Sequence, residues 1–417
     1  MTQTMSALAP AFTDPVSPTV FEEVRPRVSA PRIAFVHEWY TTYAGSEKVL
    51  EAMLEEFPSA DLFCLIDFLN PEQRKRIAGR RPKTTFLQRI PFARRLYPYL
   101  LFLMPFAVEQ HDVSKFDIIV SNSHAVAKGI IVGADQLHIC YCYSPMRYAW
   151  ELQEQYLKEA GLNRGPAALF ARIVMHLVRI WDVRSSFSVD HFIACSRYIA
   201  RRIEKTYRRR STVIYPNVAV DAFTIGGDRG DFYLTASRLT PYKRVLVIVE
   251  AFARMPDRKL VVIGAGPQFK RIAAAATPNV TVLGYQDFRS LRSHMQAAKA
   301  FIFAAEEDFG ITPLEAQACG TPVLAFAKGG ASETVVPGVT GLHFHEQTPE
   351  AVQDAVERFE ALSPPLVPEE IRAHALRFST ERFKAEFRAF VDAAWDEHRL
   401  RARTPHRPEF DSAPSRP

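Results

Sequence analysis

Two glutamates, Glu307 and Glu315, flank the seven residues Asp308-Phe309-Gly310-Ile311-Thr312-Pro313-Leu314. Glu307 follows an apolar run and Glu315 falls just inside the helix expected after it. Carboxylates so placed can accept hydrogen bonds from sugar and ribose hydroxyls. Backbone N–H groups of Phe309-Gly310-Ile311-Thr312 at a helix start suit anionic or hydroxyl oxygens. The plain alternative is a capping residue beside a solvated acid. Upstream, Ser237-Arg238-Leu239-Thr240-Pro241-Tyr242-Lys243-Arg244 places two cations after a second apolar run. Arg238 offers phosphate a bidentate fork and Lys243 a point charge, a pairing suited to a departing diphosphate. Standing alone, they would read as surface residues.

Further candidates are weaker in type or spacing. Tyr43-Ala44-Gly45-Ser46-Glu47 is a loop before a helix, and a plain turn would also need Gly45. His124, in Ser121-Asn122-Ser123-His124-Ala125, ends a strand; a lone histidine is more often structural. Arg147 and Tyr148 follow Ser144-Pro145-Met146. Gly264-Ala265-Gly266 is half of a dinucleotide fingerprint without its third glycine, which leaves NAD thin support. Gly329-Gly330 and Glu333 fit a tight turn and a surface acid as well as a ligand border. Residues 88–106 interleave arginines with aromatics, which suits either a membrane interface or a packed helix with its arginines in solvent.

The elements that must hold these residues read as two α/β halves. In the first, strands are expected at Arg32–Val36, Leu62–Ile66, Ile118–Ser121 and Ile139–Tyr143, with a helix at Glu47–Glu56. In the second they fall at Phe232–Ala236, Lys259–Gly264, Val280–Leu283, Ala300–Ala304 and Pro322–Ala325, with helices at Val245–Arg254 and Leu314–Ala318. Short apolar strands alternating with helices argue for doubly wound parallel sheets. The divisions are a disordered arm (1–30), a first Rossmann-like half (31–215) and a second (216–379). A last helix (380–402) could return to the first half, before a disordered Arg- and Pro-rich tail (403–417).

The 417 residues suit two domains, and the formal charge of +6 is a mild basic excess. No helix-turn-helix, zinc or RNA-binding pattern accompanies it, so nucleic acid is not an expected partner. The five cysteines are scattered through apolar runs and read as buried free thiols in a reducing compartment. With no signal peptide and no apolar stretch of spanning length, the expected location is the cytoplasm; the basic clusters read either as a solvated face or as attraction to an anionic membrane surface.

The segment Glu306–Val323 closely resembles the donor motif of family 4 glycosyltransferases, and Ser237–Arg244 resembles that family's basic loop. The resemblance covers roughly Arg32 to Arg399. His37-Glu38-Trp39 and Ser144-Pro145-Met146-Arg147-Tyr148-Ala149-Trp150 look like its bacterial mannosyltransferase-type branch, which assembles lipid-linked polysaccharides. The resemblance implies a GT-B fold, two Rossmann-like domains facing a central cleft, and retaining transfer of a hexose. Glu307, Arg238, Lys243 and His124 would be catalytic. Glu315, Gly45, Phe309, Gly310, Ile311, Thr312 and Gly264 would border the donor, and Arg147 with Tyr148 the acceptor.

The implied donor is GDP-mannose, with a UDP-sugar as alternative and no metal or other cofactor. The implied acceptor is a saccharide, including one carried on polyprenyl diphosphate. Two departures stand out. Relatives commonly carry two adjacent glycines where this chain has Ala44-Gly45, and often His where it has Tyr143. A non-catalytic nucleotide-sugar-binding scaffold and an NAD-dependent oxidoreductase are the rival classes.

Overall fold

A computed structural model describes residues 30–403 apart from 42, 160 and 163. The expected disordered arm, up to residue 29, and the tail from 404 lie outside the described residues.

Two six-stranded sheets, parallel in every pairing, organise the chain from Arg32 onward. The first contains β1 (Ile33–His37), β2 (Asp61–Cys64), β3 (Ile118–Ser123), β4 (Leu137–Cys142), β5 (His191–Ala194) and β6 (Ser211–Val213), in the order β2-β1-β3-β4-β5-β6. The second contains β7 (Tyr233–Ala236), β8 (Leu260–Ile263), β9 (Val280–Gly284), β10 (Phe301–Phe303), β11 (Val323–Phe326) and β12 (Gly341–Phe344), in the order β12-β11-β10-β7-β8-β9.

The unbroken apolar character of the strands follows from burial on both faces. In β1, Ile33 and Phe35 join one core cluster while Ala34 and Val36 join another on the opposite face. The second sheet is sandwiched likewise: Leu234 packs on one side and Tyr233 on the other.

Chain direction across each sheet reverses at one place, between β1 and β3 in the first and between β7 and β10 in the second. Ligand sites of doubly wound sheets lie beyond the carboxyl ends of the strands at such switch points. The segments beginning at Glu38, His124, Ser237 and Ala304 leave those four strand ends.

The terminal helix, Thr380–Arg403, lies against the first helix, Gly45–Glu56, and against β4. Phe387 meets Phe57 with ring centroids 6.1 Å apart, and Phe383 meets Tyr141 at 5.9 Å. Lys384 Nζ lies 2.6 Å from Glu55, and Arg388 donates to the Glu56 carbonyl at 2.9 Å. Near its start, Arg382 donates to the Tyr215 and Pro216 carbonyls, where the chain passes between the halves.

Residues 86–108 do not form one helix. Short turns at Phe86–Arg89, Ala93–Leu96, Tyr97–Tyr99, Leu101–Leu103 and Met104–Val108 follow one another. Pro91, Pro98 and Pro105 lack the N–H that a continuous helix requires. All five cysteines are buried and free. No helix among the described residues is long and apolar enough to cross a membrane.

Candidate functional site

On the first half, the residue after β1 governs the site. Glu38 is fully buried, and its carboxylate accepts five hydrogen bonds from the last residue of β3 and the turn after it. Ser123 Oγ (3.0 Å), His124 N (3.0 Å) and Ala125 N (2.7 Å) donate to Oε1. Val126 N (2.9 Å) and Ala127 N (3.1 Å) donate to Oε2. Burial alone would raise the Glu38 carboxyl; His124 and the Val126, Ala125 and Ala127 amides hold it below the usual range instead. This clamp fixes the backbone that carries His124. The His124 ring stands edge-on to Trp39 at 5.0 Å, and burial depresses its basicity against the opposing pull of Glu38.

The loop before the first helix is tied down by a second buried acid. Glu47 Oε2 accepts from Ala44 N at 2.9 Å and from Ser46 Oγ at 3.0 Å, while Oε1 lies 3.5 Å from His37 Nε2. Tyr143, where a histidine would be usual by resemblance, donates its hydroxyl to the Ser46 carbonyl at 3.1 Å. A Cβ on Gly45 would sit 3.1 Å from the Ile311 side chain, so this loop approaches the other half directly.

The second half presents Arg238 just past β7 and Glu307 past β10. Lys243 and Glu307 form an ion pair, while Arg238 is exposed. Burial pulls the Lys243 ammonium down to about 8, opposed by Asp308 and reinforced by Arg147. Gly310 (φ 87°) adopts the left-handed conformation that starts the helix Ile311–Ala318. Pro313 fits that first turn because its missing N–H has no helical partner there. Phe309 is buried and stacks on Tyr215 at 5.9 Å. Glu315 is buried on the same helix with Lys48 Nζ of the first half 3.7 Å away; burial raises its carboxyl. Ile311 and Thr312 are partly exposed at the helix start.

Gly264 has a conformational reason of its own. Its φ is 144°, and a Cβ would fall 1.9 Å from the Ser237 carbonyl oxygen. Together with Gly266 it lets the loop after β8 pack against the backbone that carries Arg238. Gly329 and Gly330 seat the loop after β11 on Glu307 and Phe309 in the same way, with virtual Cβ contacts of 2.2 Å to each backbone.

The structure therefore brings Glu307, Lys243, Glu315 and Gly45 to one cleft, together with Phe309, Gly310, Ile311 and Thr312; Arg238 and His124 stand at the switch points that border it. Arg147 joins them from the first half: its guanidinium lies 3.5 Å from Asp308 Oδ1 and donates to the Glu306 carbonyl at 3.5 Å. The Tyr148 hydroxyl is buried without a hydrogen-bond partner, and its ring meets Tyr156.

Several residues that close the cleft escape single-residue reading. Asp308 Oδ1 accepts from Arg202 at 3.1 Å, and Ser196 Oγ donates to the Asp308 carbonyl at 2.6 Å. Tyr198 donates to Glu306 at 2.6 Å. Glu333, for which the sequence leaves a surface acid or a ligand border open, accepts from Arg197 N, Tyr198 N and the Tyr215 hydroxyl at 2.8, 2.6 and 3.0 Å, capping the helix Arg197–Tyr207 across the cleft. The available signal was a cluster of acids, Glu306 to Asp308, in a region where carboxylates need partners to be buried. Among the described residues, no group of three or more His, Cys, Asp or Glu is arranged to hold a metal ion.

Comparison with known proteins fits this geometry. Residues 227–374 match the family model described as Glycosyl transferases group 1. A GDP-mannose-dependent monoacylated alpha-(1-6)-phosphatidylinositol monomannoside mannosyltransferase of Corynebacterium glutamicum is 33% identical over 174 residues, 38% of this chain and 42% of that one. A D-inositol 3-phosphate glycosyltransferase of Mycobacterium leprae is 31% identical over 222 residues, 45% of this chain and 52% of that one. The chain spans about half the length of the curated relatives it matches.

Among solved structures, sucrose-phosphate synthase from Thermosynechococcus elongatus has a TM-score of 0.64 at 17% identity, covering 88% of this chain and 100% of that one. Anabaena Alr3699/HepE in complex with UDP and glucose has a TM-score of 0.59 at 16% identity, covering 87% of this chain and 100% of that one. The fold is GT-B.

Proposed function

We propose that the chain is a retaining glycosyltransferase that moves a hexose from a nucleoside diphosphate sugar to a saccharide acceptor. One observation carries this reading: beyond the switch point of the second sheet, Lys243 contacts Glu307 and Arg238 stands free of it, within the region that matches the group 1 family. Donor binding would exchange the Lys243–Glu307 contact for Lys243–phosphate. That exchange frees the Glu307 carboxylate for sugar hydroxyls and leaves Arg238 to grip the other phosphate. Glu315 faces the ribose, and the Gly45 loop and the start of the Ile311–Ala318 helix offer N–H groups to the donor.

In the transfer step an acceptor hydroxyl oxygen bonds to the anomeric carbon as the bond from that carbon to the diphosphate oxygen breaks. The same face of the sugar is used, and the acceptor proton passes to a leaving-group oxygen. Arg238 and Lys243 stabilise the charge that develops on the diphosphate, a role that calls for no metal. His124, fixed by Glu38, abuts the transferred sugar. Arg147 meets the acceptor once its contact with Asp308 opens, with Tyr148 beside it in sequence.

GDP-mannose is the donor we favour, with support from the GDP-mannose-dependent relative, and the acceptor is a glycan carried on polyprenyl diphosphate. A UDP-sugar is the second reading, favoured by the UDP complex of the Anabaena structure. Thermal-shift titration with GDP-mannose, UDP-glucose and an ADP-sugar separates them, because a ligand specific to the folded state raises the melting temperature by mass action. A GDP-mannose response supports the first reading, a UDP-only response replaces it with the second, and no response to any nucleotide sugar removes the donor site.

A further inference from the structure

The helix Pro166–Ser185 is apolar on both sides. Val174, Met175 and Val178 face a core cluster of the first half. Its opposite face exposes Leu169, Phe170, Ile173, Leu177 and Ile180 at helical spacing, and Phe187 extends the stripe past its end; each of the six is about half exposed or more. Together they leave on the order of 600 Å² of apolar side chain in water, at the top of what a monomer ordinarily shows.

The segment 86–108 packs on the same core cluster through Leu100, Leu101 and Leu103 and also turns aromatics outward. Phe92, Tyr99, Phe102 and Phe106 are exposed, and Phe92, at 81%, is the most exposed large apolar residue described. Phe92 is also held at φ 58°. A bulky residue in the left-handed region is costly, and the fold keeps this one there with its ring in solvent.

Charge marks the occupant. Neither 73–108 nor 160–181 contains an aspartate or glutamate. Within the apolar helix, Arg172 pairs with Glu154 and Arg179 donates to the Ala149 carbonyl. Arg164 and Arg184 remain exposed near its two ends, and Arg89, Arg94 and Arg95 are exposed beside Phe92. An apolar stripe rimmed by cations of one sign is complementary to an anionic bilayer. A second copy meeting it about a two-fold axis would bring like charges together. The surface also borders the reaction cleft, since Tyr97 packs on Trp39 at 5.6 Å and Trp39 packs on His124.

We infer that the outer face of the helix Pro166–Ser185 and the Phe92–Phe106 turns together form a docking surface for an anionic lipid bilayer, entered from one side without spanning it. Docked, the protein presents the His124 side of its cleft to an acceptor held in the membrane. The surface stands on its own observations, and only that orientation rests on the transferase reading.

The test is co-sedimentation of the full chain with phosphatidylcholine vesicles, with and without phosphatidylglycerol. The protein should pellet with the anionic vesicles and remain largely in solution with the neutral ones. The double substitution Ile173→Glu/Leu177→Glu should lower the bound fraction about tenfold, and Arg94→Glu/Arg95→Glu should remove the preference for phosphatidylglycerol. Phe92→Asn guards against misfolding as the cause, because Asn accepts the left-handed conformation: it should keep or raise the melting temperature while weakening vesicle binding. Equal binding to both vesicle types, or wild-type binding by the Ile173/Leu177 and Phe92 variants, would overturn the inference. A lipid-free dimer that the Ile173/Leu177 variant converts to monomer would also overturn it, by assigning the face to a second copy. The variants should retain the nucleotide-sugar thermal shift, so loss of docking and loss of the donor site are read separately.

Discussion

Lys243 offers the sharpest perturbation, because the cation proposed to grip the leaving diphosphate titrates within reach of ordinary assays. Burial brings its ammonium down to about 8, against roughly 10.4 for an unperturbed lysine. The protonated form is the useful one, so kcat/KM for the nucleotide sugar should be flat below about pH 7.5 and fall above it. At pH 9 about one-tenth of the free enzyme keeps the charge, and each further pH unit costs about another tenfold until Arg238 alone sets the rate. Lys243→Arg keeps its cation throughout and should flatten the alkaline limb, even where its geometry lowers the plateau. Lys243→Ala should lose about 10²–10³ in kcat at pH 7, the scale for removing one donor aimed at developing charge. The assay is initial-rate nucleotide release over pH 6.5–10, with melting curves at each pH to exclude unfolding. A wild-type limb that persists unchanged in Lys243→Arg would refute the assignment.

Other outcomes follow from the same contacts. Glu38→Gln turns one oxygen of a five-donor clamp into a donor and should cost about 2–4 kcal/mol at pH 7 by denaturant titration. The folded-state pKa of Glu38 is depressed, so its contribution is full above the unfolded value of roughly 4.3 and is lost as pH falls through the folded one. The gap between wild type and Glu38→Gln should therefore shrink in acid. Asp182→Asn leaves the buried Lys128 ammonium without its 2.6 Å partner and should cost about 3–5 kcal/mol, much of it recovered by adding Lys128→Met. Gly264→Ala forces a Cβ onto the Ser237 carbonyl and should raise donor KM by shifting the Arg238 loop, with a stability loss of about 1–3 kcal/mol.

What could be read from the sequence was local. Ile33-Ala34-Phe35-Val36 and the runs at 301–303 and 323–326 are apolar because both faces of each strand are covered, and they announced the parallel sheets. β5, β6 and β12 were not foreseen. Ser211–Val213 is a three-residue edge strand, and Gly341-Leu342-His343-Phe344 breaks its apolar run with glycine and histidine. Glu307, Lys243 and Gly45 could be named in advance because their neighbours carry a family resemblance. Glu38 could not be given its work, since its five donors lie 85 to 89 residues away. Asp308 likewise finds Arg202 only when the halves come together, 106 residues away in sequence. The segment 88–106 was legible in composition, but its prolines break it into turns, and the apolar stripe beside it lies on a helix that periodicity alone would assign to the core.

The central claim is that a nucleotide-sugar donor reacts between Glu307 and the Arg238–Lys243 pair. Donor turnover by purified protein, measured as nucleotide released from GDP-mannose and from UDP-glucose by wild type and Glu307→Ala in parallel, tests it most directly. Wild type should turn over one donor, and the variant should lose at least about 10² in rate with its thermal shift still detectable. Release by Glu307→Ala as fast as by wild type would contradict it.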